Sequence, residues 1–162
     1  VEKIAPLGWH VVIYFESADL PELYDFFSAI PTDVVVDHMG RPDVTKDPNG
    51  PEFDLFVRFM RENPNVWTKV SCPERLSVTG PAALDGEQHA YQDVVPFARR
   101  IVEEFPSRVL WGTDWPHPNL KNHMPDDGVM VDYIPQIART PELQQALLVD
   151  NPMRLYWPEE VA

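Results

Sequence analysis

The sequence predicts an α/β protein built from four βα units around a parallel sheet. Four short apolar runs stand at residues 10–15 (HVVIYF), 34–38 (VVVDH), 66–71 (VWTKVS) and 109–114 (VLWGTD). Stretches with helical spacing alternate with them, and strands that read as continuous apolar runs belong to sheets covered on both faces. Polar residues also gather at the run ends, His38, Ser71 and Asp114 among them, with Arg75 just beyond the third.

The first helix is expected over residues 20–29, with Pro21 in its first turn and Leu23, Phe26 and Phe27 on one face. A Gly/Pro-rich loop over 39–51 leads to a second helix over 52–62, where Phe53, Phe56, Val57 and Met60 keep helical spacing. A long loop covers 72–90, with turn signals at Gly80-Pro81 and Asp85-Gly86. The third helix spans about 92–105 and turns Val94, Val95, Ala98, Ile101, Val102 and Phe105 inward, with Pro96 in its first turn. Helices over 129–138 and 141–149 and a short turn over 152–156 complete the chain.

Two architectures accommodate four βα units: a small open doubly wound sheet, or half of a barrel, since complete barrels run to about 250 residues. In both, ligands bind at the C-terminal edge of the strands. A Gly-rich phosphate loop after the first strand is absent, which argues against a nucleotide-binding sheet.

The 162 residues carry a net charge of −13, with 44% hydrophobic and 24% charged residues. A basic stripe for phosphate contacts is missing, so nucleic acid is not an expected partner. No apolar run approaches the roughly 20 residues that span a bilayer, and no secretory signal is visible. One cysteine, Cys72, excludes an internal disulfide framework, and the expected location is cytoplasmic. An anionic substrate would be repelled by the overall field, so local arginines must recognise it.

Asp114 lies in WGTDWPHP, between two tryptophans and near Pro116, a placement suited to a general base or to a capping aspartate. His38 lies in DHMGRPD and is a candidate metal ligand, acid/base or polarising donor. Arg41 and Asp43 in that loop are expected to pair with each other. Arg75 in KVSCPERLS offers a planar fork for a carboxylate, or a surface partner for Glu74. Ser71 and Ser77 are weaker hydrogen-bonding candidates, and Tyr14 is a substrate contact or a core aromatic. Cys72 is an unpromising nucleophile, because no histidine/acid pair is evident beside it. His89, His117 and His123 read as loop histidines. A zinc site from this chain alone has His38 and Asp114 as its best pair.

Together, DHMGRPD, KVSCPERLS, RVLWGTDWPHPN and the terminal DNPMRLYWP resemble the C-terminal half of the 2-pyrone-4,6-dicarboxylate hydrolases, lactonases of the amidohydrolase superfamily. The resemblance covers essentially the whole chain. It implies a distorted (β/α)8 barrel, a cyclic dicarboxylate lactone as substrate and no metal cofactor. It implies Asp114 as general base on water, His38 as polariser of the lactone carbonyl, Arg75 as the grip on a substrate carboxylate and Tyr14 as part of the lining.

One departure is large. The His-x-His motif of the first barrel strand in this superfamily has no counterpart here. The expected account is a single domain over 1–162 that forms the C-terminal half-barrel, requiring a complementary N-terminal half or self-association. The alternatives are a catalytically inert half-barrel acting as an assembly partner, and a zinc-dependent lactone hydrolase such as a sulfomuconolactone hydrolase.

Overall fold

Four parallel strands, β1 (Val11–Ile13), β2 (Val34–Val36), β3 (Val66–Lys69) and β4 (Val109–Leu110), pair in the order β1-β2-β3-β4. The computed structural model describes residues 1–83, 90–120 and 123–160. Asp85-Gly86 and His89 lie outside the described residues. The register aligns Val12, Val35 and Trp67 across three strands, and Lys69 with Leu110. Successive side chains point to opposite faces. Val34, Val36, Val66 and Val109 therefore enter the main core, while Val35, Trp67 and Leu110 form a second cluster on the other face.

Helices α1 (Leu20–Ser28), α2 (Pro51–Glu62) and α4 (Val95–Glu104) supply the main core. Phe53, Phe56, Val57 and Met60 of α2 are buried, as are Val95, Ala98, Ile101 and Val102 of α4. The Phe53 and Phe97 rings meet edge to face at 4.9 Å and join the two helices. In α1 the inward stripe is Leu20, Leu23, Tyr24 and Phe27, an i, i+3, i+4, i+7 set, and Phe26 falls off it and is exposed.

The expected long loop after β3 begins with a single helical turn, α3 (Pro73–Leu76). The anticipated 129–138 helix divides into α5 (Asp127–Asp132) and α6 (Ile134–Ile137), with Pro135 at the start of the second. α7 (Pro141–Gln145) runs through a π-helical turn, Ala146–Asp150, into α8 (Asn151–Tyr156).

α8 packs on the second sheet face. Leu155 covers Val35, Trp67 and Leu110, the Arg154 guanidinium lies 5.1 Å from the Trp67 ring centre, and the Asn151 amide donates to the carbonyls of Pro106 and Val109. Leu110 is thus buried. The exposed apolar side chains include Trp9, Val12 and Tyr14, in and beside β1. Among the described residues no helix is long and apolar enough to cross a membrane.

Candidate active site

The chain leaves β2, β3 and β4 through backbone that ordinary residues avoid. After β2, His38, Met39, Gly40 and Arg41 all have φ between 50° and 66°. After β3, Cys72 has φ 65°, and after β4, Asp114 has φ 64° and His117 φ 57°. Left-handed conformations at non-glycine residues cost free energy, and they persist where surrounding structure over-determines them, often at functional sites. Gly40 has a steric reason as well. A Cβ there would stand 2.9 Å from the Phe15 ring and 3.2 Å from the Phe56 ring.

These turns aim His38, Ser71, Arg75 and Asp114 at one point on the C-terminal edge. His38 Nδ1 lies 2.8 Å from Ser71 Oγ. Arg75 Nη2 donates to Asp114 Oδ2 at 2.7 Å and stands 3.0 Å from His38 Nε2. Arg75 Nε donates to Cys72 Sγ at 2.7 Å. Asp114 Oδ1 lies 3.8 Å from His38 Nε2 and takes no hydrogen bond among the described residues. Arg75 therefore pairs with Asp114, and the alternative surface pair with Glu74 does not form.

Guanidinium only donates, so His38 Nε2 accepts from Arg75 and the ring proton sits on Nδ1, facing Ser71. Burial pushes the His38 imidazole below its ordinary value, against the opposing pull of Asp114. A ring that accepts from Arg75 at Nε2 is in its neutral form. The Ser71 hydroxyl both donates and accepts, so it serves either neutral tautomer.

Tyr14 stands apart from this cluster. Its ring meets His38 edge-on at 6.2 Å, it is half exposed, and its hydroxyl donates to Glu16 at 2.6 Å. Arg41 also turns to Glu16, at 3.1 Å, instead of Asp43, whose carboxylate accepts from the Thr45 backbone and hydroxyl. A two-residue spacing lets Asp43 close a local turn, which leaves Arg41 to reach across to the loop after β1. Ser77 donates to Asp93 at 2.5 Å and so anchors the loop after α3 to the approach of α4. An open cleft of about 250 Å³ beside the cluster is lined by Glu16, Arg41 and Arg75 among others.

His38, Cys72 and Asp114 bring three potential metal-ligand atoms within 4.8 Å of one another. The set does not fit a cation as it stands. The Arg75 guanidinium lies among the three and is within hydrogen-bonding distance of each. It already supplies the positive charge there, and a metal ion would have to displace it. Cys72 is a poor ligand too, since burial pushes its thiol up to about 12. The same shift rules against a thiolate nucleophile. What Cys72 does is accept a hydrogen bond from Arg75, a role its three-residue spacing from that arginine could have suggested.

A family model described as amidohydrolase matches residues 1–157. A 2-pyrone-4,6-dicarboxylate hydrolase from Comamonas testosteroni is 79% identical over 159 residues, which are 98% of this chain and 52% of that protein. A 4-sulfomuconolactone hydrolase from Hydrogenophaga intermedia is 36% identical over 96% of this chain and 49% of its own length. A solved structure from Acinetobacter baumannii, described as a candidate 2-pyrone-4,6-dicarboxylic acid hydrolase with citric acid bound, superposes with a TM-score of 0.74 at 25% identity, over 95% of this chain and 54% of that one. The chain thus spans about half the length of the curated relatives it matches. The family match runs through all four strands and every residue of the strand-end cluster: the chain belongs to the amidohydrolase family.

Proposed function

We propose that this chain is part of an enzyme that opens the lactone ring of 2-pyrone-4,6-dicarboxylate or a close analogue, with Asp114 as the general base on water. The observation that carries the reading is the Asp114–Arg75–His38 cluster at the C-terminal strand edge. The lactone hydrolases among its relatives supply the substrate class.

Asp114 Oδ1 is the oxygen left over from the Arg75 pair, and it holds and deprotonates the attacking water. The proton then returns to the ring oxygen as the carbonyl C–O bond breaks. Arg75 turns from His38 to a substrate carboxylate, for which its planar fork is matched. That movement frees His38 Nε2. In the tautomer where Ser71 donates to Nδ1, Nε2–H faces the lactone carbonyl and stabilises the developing oxyanion. Tyr14 and Arg41 line the outer part of the site.

The same proposal makes residues 1–162 one domain, the C-terminal half of a distorted (β/α)8 barrel. Two features support this: among the described residues β1 and β4 each have a neighbour on one side only, and the relatives are about twice as long. A complementary half would cover Trp9 and Val12. The enzyme is proposed to be cytoplasmic and to work without a metal, on the ground that Arg75 holds the cationic position.

The test is hydrolysis of 2-pyrone-4,6-dicarboxylate by the full-length protein, followed as loss of pyrone absorbance. Turnover in the presence of chelator is expected. A requirement for stoichiometric zinc would overturn the metal-free reading, and no turnover on any carboxylated lactone would overturn the reaction.

A further inference from the structure

Behind the cluster lies a second polar link that the proposed chemistry does not use. Glu74, next to Arg75 on α3, has a fully buried side chain, and neither carboxylate oxygen has a hydrogen-bond partner among the described residues. Its neighbour is His117, almost as buried, with Nδ1 at 3.5 Å from Oε1. His117 Nε2 reaches Asp127 at the start of α5, at 3.2 Å, and its backbone N–H donates to the Asp114 carbonyl at 2.8 Å. Two segments are therefore joined twice: by Arg75–Asp114 on the open side, and by Glu74–His117 behind.

Stability does not account for the buried pair. Replacing such a pair by apolar residues of similar volume is often neutral or stabilising. At 3.5 Å the two atoms are in polar contact without a hydrogen bond, and what such a buried contact adds is a set distance between its two segments. We propose that Glu74 and His117 are positioning residues whose buried contact holds the helix carrying Arg75 in alignment with the turn carrying Asp114. Burial raises the Glu74 carboxyl, which favours keeping a proton near it. This inference rests on the proposed roles of Arg75 and Asp114.

The test compares the full-length wild type with Glu74→Gln and with Glu74→Leu/His117→Phe. The apolar pair removes the link at similar volume, and the glutamine keeps a hydrogen-bonding group. The double variant is expected to keep its Tm and to lose about 10²-fold in kcat, the scale of a 1 Å misplacement, with KM changed far less. Glu74→Gln should stay within about threefold of wild type, on the same principle. Wild-type kcat in the double variant, or equal loss in both variants, overturns the proposal. If the double variant fails to fold, Glu74→Leu against Glu74→Gln gives the same reading. The Arg75 Nε–H resonance reports independently of turnover. It should move in the apolar variant, and an unchanged signal overturns the positioning role. An inactive wild type overturns the reaction, and leaves this resonance to decide the inference.

Discussion

Arg75 Nη2 reaches Asp114 Oδ2 at 2.7 Å across 39 residues of sequence, and the pair sits at the C-terminal edge of β3 and β4 with side chains only 13% and 17% exposed. The contact ties a fixed cation to the carboxylate proposed to take the proton from water. It also bears on the proposed anionic substrate, for which the guanidinium is a local cation that faces the cleft in an otherwise acidic chain.

Asp114→Asn should leave the fold intact and lower kcat by at least about 10²-fold in the full-length enzyme. The amide is nearly isosteric and still accepts from Arg75, but it takes no proton at neutral pH. Steady-state kinetics beside a thermal melt check it. Wild-type turnover in a folded variant removes Asp114 from the role.

Arg75→Met should raise KM roughly 10- to 150-fold, because a charged hydrogen bond is worth about 1.5–3 kcal/mol. It also strands Asp114 and Cys72, so some loss of stability is expected. Arg75→Lys keeps a charge without the fork and should recover part of the stability and little of the binding. A KM within about twofold of wild type, with stability collapsed, would make Arg75 structural.

His38 should titrate below the ordinary histidine value of about 6.5, because burial disfavours its charged form. The sign follows from a depressed folded value. The contribution of His38 to stability is complete above about pH 6.5 and is lost as pH falls through the lower folded value. Denaturation of wild type and His38→Gln at pH 7.5 and 5 checks this. The gap between them should shrink at the lower pH, and a gap that widens there contradicts it.

The chain by itself should bind a hydrophobic dye and elute as dimers or larger species. β1 offers an unpaired edge beside exposed Trp9, Val12 and Tyr14, and edges of that kind invite association. Adding the N-terminal half of the relatives should suppress dye binding. A sharp monomer with cooperative unfolding and no dye binding would end the half-barrel proposal.

Much of the frame was legible before folding. Apolar runs of β-branched residues mark all four strands, though each is shorter in the structure, ending before its polar residues turn out of the sheet at His38, Cys72 and Asp114. The inward face of α4 could be read from helical spacing alone, because that period is a property of the backbone. The α1 face was misread by one position, Phe26, since two adjacent phenylalanines cannot both lie on one narrow stripe.

The sequence by itself determined the order of strands and helices, and which polar residues stand at strand ends. Local periodicity and turn chemistry decide those matters within a few residues. Only the tertiary structure decided the partners: Arg75 with Asp114, Arg41 with Glu16, Glu74 with His117. Spacing along the chain carries no record of which strand end lies beside which. That comes from the parallel register, which pairs Lys69 with Leu110 and so brings the segment after β3 against the turn after β4. Burial then selects the contacts, because a charge taken out of water must find an opposite charge or a donor within reach.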